Sequence, residues 1–321
     1  MTAHSAHPNE SRGRDLDVVV IGNAGVDTNV FLPKPGIDFE VEANFTENLD
    51  CAGQAGVYAA RSYAALGYRT AFIGHVGDDW AGGLVREAFA ADGIDTSLLG
   101  HDPAGTARSV NLMYTDGRRK NFYDAKGHMD LEIDLEACRA LLARAKLVHV
   151  HLANWTRRLL PIARDLARDS GLTIACDLQD VVDLKDPYRS DYIRLSDILF
   201  FSSVNHPNPA RPILAFLKAG PARAVLCGLG AKGCALGTRE GIRTFPALSL
   251  PAPVVDTNGA GDSLAAGFLA SHVLEGRTLE EAVLRGQLAA RHACAQRATS
   301  SNQITASQLD ALTAAFHASE V

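Results

Sequence analysis

The chain has 321 residues, a net charge of −6 from 31 Lys+Arg and 37 Asp+Glu, and 47% hydrophobic residues. That length fits two typical domains or one large α/β domain with an addition, and the balance is an ordinary globular one that excludes a wholly disordered chain, which needs fewer apolar residues. Without a basic block or an apolar run near the ~20 residues of a membrane span, it argues against nucleic acid and membrane as partners.

Residues 1–14 are polar and lack the apolar core of a secretory signal, so they read as a disordered lead, with the fold running over 15–318. Leu16–Ile21 (LDVVVI) is a continuous apolar run, the pattern of a strand buried on both faces of a parallel sheet. Between Phe31 and Glu47, two prolines and short alternating stretches predict exposed strands or a flap. Ala55–Leu66 is an Ala-rich helix with Gly67 placed to stop it. A strand over Thr70–His75 and a helix over Gly83–Ala91 follow. Ser109–Tyr114 and Lys120–Tyr123 flank Asp116-Gly117, a pair favoured in tight hairpin turns.

From Leu135 the β/α alternation is clear: helix Glu136–Arg144, strand Leu147–Leu152, helix Thr156–Asp169, then strands Leu172–Asp177, Asp197–Phe201 and Ala224–Gly228. A hairpin over Gly233–Gly237 and Ile242–Phe245 precedes three helices, about Asp262–Leu274, Leu279–Ala295 and Ala306–Phe316. The alternation predicts an α/β three-layer sandwich with a mainly parallel central sheet. The antiparallel segments, about 31–50 and 106–124, are expected to form a small β lid over the carboxyl edge, where open α/β sheets bind ligands. The six cysteines, at 51, 138, 176, 227, 234 and 294, show no metal-ligand spacing and read as free thiols in a reducing, cytoplasmic protein.

The chemistry concentrates in Val254–Gly267 (VVDTNGAGDSLAAG), where a strand end turns through Gly259, Ala260 and Gly261 into a helix opened by Asp262. Small residues let successive N–H groups converge, and the helix N-terminus adds positive potential, which together make an anion hole suited to a transferring phosphate. An acid at such a site repels phosphate unless it removes a proton, so Asp262 reads as a general base for a substrate hydroxyl. As a bare residue it serves equally as a helix cap.

DTNGAGD resembles the DTxGAGD signature of the ribokinase/PfkB family of carbohydrate and nucleoside kinases, and the likeness spans about Leu16 to Phe316. The resemblance implies a ribokinase-like fold, ATP with Mg²⁺ as cofactors and an open question of a monovalent cation; separately, a β lid with one face off the core exposes apolar strand surface that often pairs with a copy of itself, so a homodimer through the lid is expected. It implies that Gly259, Ala260 and Gly261 form the anion hole, and that Asp27, in Gly22–Asp27 after the first strand, bonds sugar hydroxyls. Ala52–Gly67 resembles the family's GGxxxN-helix-LG segment with Gly53 kept, but Gln54 stands at the second Gly and Tyr58 at the sugar-binding Asn. Read this way, Tyr58 supplies an apolar wall for a larger ring system, disfavouring free ribose and fructose; as a bare residue it serves equally as a buried aromatic on the helix's apolar face. Arg108, Asn111 and Asp124 match the second lid portion and are expected to face substrate.

On the nucleotide side the likeness nominates Ser202, Asn205, Gly228, Gly230, Lys232, Gly233, Thr257, Asn258 and His292. The family's N-x-x-E stretch reads Ser202-Ser203-Val204-Asn205 here, an amide where a magnesium-organising carboxylate usually stands, which leaves Asn205 and Asp256 as candidate metal contacts through water. The pattern AGQ-x-G, VNL-x-x-x-DGRR and V-D-x-NGAGD looks closer to kinases of acarbose-like pseudo-sugars than to ribokinases. Two rivals stay open: a nucleoside kinase, and a non-catalytic sugar-binding sensor on a kinase fold.

Overall fold

The six strands expected to form the parallel core, from Leu16–Ile21 to Ala224–Gly228, all lie in one sheet. The computed structural model describes residues 14–34, 36–115, 119–127, 130–203, 206–297 and 299–319. In chain order its elements are β1 Leu16–Ile21, β2 Gly25–Phe31, β3 Glu47–Gly53, α1 Ala55–Ala65, β4 Thr70–Val76, α2 Trp80–Ala91, β5 Asp95–His101, β6 Ala107–Met113, β7 Arg119–Asp124, α3 Leu135–Leu142 and β8 Ala145–His151. There follow α4 Leu160–Ser170, β9 Thr173–Asp180, α5 Ser190–Leu195, β10 Ile198–Ser202, α6 Ala210–Ala219, β11 Ala224–Gly228, β12 Cys234–Thr238, β13 Gly241–Phe245, α7 Ala260–Leu269, α8 Leu279–Cys294 and α9 Ala306–Ser319.

Nine strands form the main sheet in the order β13-β12-β11-β10-β9-β8-β1-β4-β5, parallel except for β12 and β13. Strand alternation sorts its side chains into two cores. One face sends Val19, Ile21, Val148, Val150, Ile174, Leu199 and Val225 against α3, α4, α5 and α6. The other sends Val18, Val20, Phe72, Leu147, Ala175, Phe200 and Leu226 against α1, α2, α7 and α8. Each fully buried aliphatic side chain contributes about 1.5–3 kcal/mol, so both helical layers are held by the sheet they cover. This is the expected three-layer sandwich.

The second sheet has four strands, β3-β2-β6-β7, with the central β2–β6 pair parallel and the outer pairs antiparallel. Of the exposed strands or flap expected between Phe31 and Glu47, the described residues form no strand and run as a mostly exposed connection, with strands flanking it at Gly25–Phe31 and Glu47–Gly53. Its prolines and short alternations belong to the irregular connection, because proline cannot donate to a ladder. The expected turn at Asp116-Gly117 and residues 1–13 of the expected lead lie outside the described residues.

Other differences are local. Edge strand β5 and helices α5 and α6 were not legible in the pattern. Helix α2 begins at Trp80, with the Asp79 carboxylate accepting from Gly82 N–H, where Gly82-Gly83 had hidden the first turn. The expected Thr156–Asp169 helix is a 3₁₀ turn, Thr156–Leu159, followed by α4, which Gly171 ends in the left-handed region. Among the described residues no helix is long and apolar enough to cross a membrane, and the six cysteines carry no disulfide.

Candidate active site

Strand order reverses between β1 and β8, and the crevice outside the carboxyl ends at such a switch point is where open α/β sheets hold ligands. The inner face of the lid belongs to this crevice, and strand period decides which lid residues reach it. Registers align Cys51, Asp27, Ser109 and Tyr123 in one row across β3, β2, β6 and β7. The next row is Leu49, Asn29, Asn111 and Asn121, and the third is Glu47, Phe31, Met113 and Arg119.

The amides of that face form a chain. Asn121 Nδ2 donates to Asn111 Oδ1 at 2.8 Å, and Asn111 Nδ2 donates to Asn29 Oδ1 at 3.0 Å. Asn258 Nδ2 reaches the same Asn29 oxygen at 2.7 Å, tying the lid to the loop before α7. Asn111 therefore lies on the site face as expected. Arg108 and Asp124 do not, because both fall on alternate positions. The Arg108 guanidinium stacks 4.8 Å from the Trp80 ring centre, and Asp124 pairs with Lys126 at 2.8 Å on the exposed side. Tertiary register overrides the expectation that these two face substrate.

Asp27 is buried and doubly held: Gln54 Nε2 donates to its Oδ1 at 2.7 Å and Tyr58 Oη to its Oδ2 at 2.9 Å. Burial pushes the Asp27 carboxyl up, and hydrogen bonds from the Tyr58 hydroxyl and the Gln54 backbone oppose that shift. Gln54 also donates to Ser109 Oγ at 2.8 Å and sits at φ 76°, a backbone suited to glycine. Gly53 is needed because a Cβ there would lie 2.5 Å from Asp27 Cγ, so its close approach is to that carboxyl.

Tyr58 is 3% exposed, which fits the buried aromatic rather than the stacking wall. Its hydroxyl holds Asp27, and its ring lies under Gly259, where a Cβ would stand 2.5 Å from Tyr58 Cδ1. The ring is a strut between the sugar side of the crevice and the loop that opens α7. Burial, then the charge of Asp27, raises the phenol far above its usual range.

Gly259 caps α7 at φ 68°, and Ala260, Gly261 and Asp262 form the first turn, whose N–H groups lack intrahelical acceptors. Gly261 does not have a positive φ; the left-handed residue of this turn is Gly259. A Cβ on Gly261 would meet no heavy atom within 4 Å, so its open side has room for a ligand. Asp256 is buried with Oδ1 accepting from Asn258 N–H at 2.8 Å, a bond that shapes the turn. Thr257 is half-buried beside it.

Asp262 is half-buried and its carboxyl is raised well above the usual range, first by burial and then by the charge of Asp177, with Arg119 opposing. Asp177 is itself raised by burial. Its strand neighbour His151 is buried, and both its ring nitrogens lack hydrogen-bond partners. Burial depresses His151 to about 4, so it is neutral. Asn29, Ser109, Arg119, Asn121, His151 and Asp177 were missed in the sequence. Counting by twos from Asp27 and Asn111 finds Asn29, Ser109 and, across the hairpin, Asn121; the ends of apolar strands find His151 and Asp177.

On the other flank, Ser202 and Gly228 pair across β10 and β11, and Ser203 N–H donates to Gly228 O at 3.1 Å. Gly230 and Lys232 share one exposed 3₁₀ turn closed by Gly233 at φ 97°. His292 lies in the last turn of α8, with Nε2 3.2 Å from Asn302 O. Asn205 lies outside the described residues.

Comparison with known proteins adds the family. Residues 17–306 match the pfkB family carbohydrate kinase model. The chain is 32% identical over 293 residues to an acarbose 7(IV)-phosphotransferase of Actinoplanes sp., covering 90% of this chain and 95% of that one. It is 30% identical over 301 residues to a ribokinase of Arabidopsis thaliana, covering 87% and 76%. Among solved structures, a microbiome-derived acarbose kinase superposes with a TM-score of 0.82 at 30% identity, over 93% of this chain and 99% of that one.

Proposed function

The chain belongs to the pfkB family of carbohydrate kinases, and from that premise we propose that it transfers the γ-phosphate of ATP to a hydroxyl of a sugar-like polyol, with Asp262 as general base. The observation that carries this reading is a carboxylate of raised proton affinity in the first turn of α7, one residue after Gly261, whose Cβ side is open. Such a carboxylate accepts a proton as the substrate oxygen attacks, and the N–H groups of Gly259, Ala260 and Gly261 hold the migrating charge.

The open side of Gly261 fits a phosphate. Ser202, Gly228, Gly230, Lys232, Gly233 and His292 would line the nucleotide, with Thr257 and Asn258 shaping the loop. Magnesium bound with ATP neutralises phosphate charge, and it would be held mainly through the phosphates and water. Arg119, the cation felt by both Asp27 and Asp262, would steady the ionised acids from the lid.

The proposed substrate class is a larger pseudo-sugar of the acarbose type. Two relatives at 30–32% identity carry that name. Gln54 and Tyr58 already engage both oxygens of Asp27, leaving that carboxylate less free for the dense hydroxyls of ribose or fructose. Each buried hydrogen bond lost to a polyol costs about 1–3 kcal/mol.

Coupled ADP release over ribose, fructose, nucleosides and acarbose-like pseudo-oligosaccharides tests the reading. The pseudo-oligosaccharides are expected to give the highest kcat/KM, and Asp262→Asn to lower kcat about 10²–10⁴-fold. Ribose or fructose as best substrate overturns the substrate class. Asp262→Asn with more than a tenth of the wild-type kcat overturns the base, and no turnover with any acceptor favours the sensor.

A further inference from the structure

We propose that His151, Asp177 and Asp262 form a binding site for a divalent first-row cation of the Mn²⁺ type, distinct from magnesium carried on a nucleotide. One ring nitrogen of His151 and one carboxylate oxygen from each aspartate all lie within 4.8 Å of one another. His151 and Asp177 are register partners at the carboxyl ends of β8 and β9, with side chains on the face covered by α7, which supplies Asp262. Two neighbouring strands and one helix start thus point three donors at one place.

A pair of acids alone would not define a site. His151 is the independent sign: it is wholly buried, yet neither ring nitrogen has a hydrogen-bond partner, although buried polar atoms are ordinarily satisfied. Its neutral form leaves a lone pair for a metal. The next histidine on this face, His149, stacks 4.6 Å from His151 and has Nδ1 3.1 Å from Tyr63 Oη, which fixes the ring beneath.

The donor set selects the cation. Magnesium prefers oxygen ligands and keeps its waters, whereas imidazole with carboxylates suits manganese, cobalt or zinc. Metal–ligand bonds of about 2.0–2.2 Å put two ligands about 3.3–3.6 Å apart at a tetrahedral angle and about 4.0–4.4 Å apart when opposite, so donors lying within 4.8 Å of one another draw together by up to about 1–1.5 Å on binding. A dication here offsets the mutual repulsion of Asp177 and Asp262 and keeps both ionised, which burial otherwise opposes.

Binding of the cation does not depend on Asp262 acting as the base. The test therefore uses the full-length protein without nucleotide or sugar, so its failure leaves the kinase reading standing. Mn²⁺ is titrated and free ion followed by electron paramagnetic resonance, with electron spin-echo modulation reporting any directly bound ¹⁴N. One saturable site with imidazole ¹⁴N modulation is expected, and His151→Gln or Asp177→Asn should each weaken it about tenfold or more. Absence of saturable binding, binding without nitrogen modulation, or wild-type affinity in either folded variant overturns the site. Should both variants fail to fold, the nitrogen modulation of the wild type decides.

Discussion

Placing one methyl group at two glycines two residues apart separates the strut from the anion hole. Gly259→Ala forces an L-residue into the left-handed region at φ 68°, at about 1–2 kcal/mol. The new Cβ also lies 2.5 Å from Tyr58 Cδ1, about 1 Å inside ordinary carbon–carbon contact. Tyr58 cannot retreat without lengthening its 2.9 Å bond to Asp27, so the loop must shift, and overpacking of this kind adds about 1–3 kcal/mol. The expected destabilisation is about 2–5 kcal/mol, and a loop displaced by about 1 Å lowers kcat about 10²-fold.

Gly261→Ala is the matched control. Its Cβ meets nothing within 4 Å and its φ is not positive, so stability is expected unchanged or raised by up to about 1 kcal/mol, since alanine favours helix. Its turnover should still fall, because the methyl occupies space assigned to phosphate. Denaturant melts and coupled ADP release on both variants give the comparison. If Gly259→Ala melts like wild type with full turnover, or Gly261→Ala is the less stable of the two, the reasoning about this loop is wrong.

Three further outcomes follow from the same geometry. Because folding raises the Asp262 pKa, the ionised form is disfavoured in the folded state and stability is lost as pH rises through the raised value; Asp262→Asn should therefore melt higher than wild type at about pH 8, with the gap shrinking toward about pH 5. In kcat/KM against pH, Asp177→Asn should move the acidic limb down and Arg119→Gln should move it up, since Asp177 raises and Arg119 lowers the base; identical limbs in all three proteins would remove both from its surroundings. The outward lid face pairs Val110 with Phe122, the latter 56% exposed, so a homodimer through the lids is expected by light scattering at tens of micromolar and its loss in Phe122→Ser; a wild-type monomer rejects it.

Local pattern was enough for the scaffold. Continuous apolar runs such as Leu16–Ile21 and Ala224–Gly228 can only be inner strands, and their alternation with amphipathic helices leaves one layered arrangement. The turn into α7 was legible for a similar reason, since small residues before an acid at a helix start act over a few bonds. The small lid was legible too, but its strand bounds were not: between Phe31 and Glu47 short alternations suggested strands where the chain forms an irregular connection.

What the residues do at the site depended on partners distant in sequence. Asp124 looked like a substrate contact and Asn29 did not, because strand side chains alternate every residue and only pairing of β2 with β6 and of β6 with β7 fixes which set faces inward. Tyr58 looked like a wall because a helix pattern cannot show that Asp27 and Gly259, 31 residues before it and 201 after, close on its two ends. His151, Asp177 and Asp262 are individually ordinary in sequence; adjacent parallel strands and a helix entering above them place their donors within 4.8 Å, and the energy of such a cluster depends on distance in space rather than along the chain.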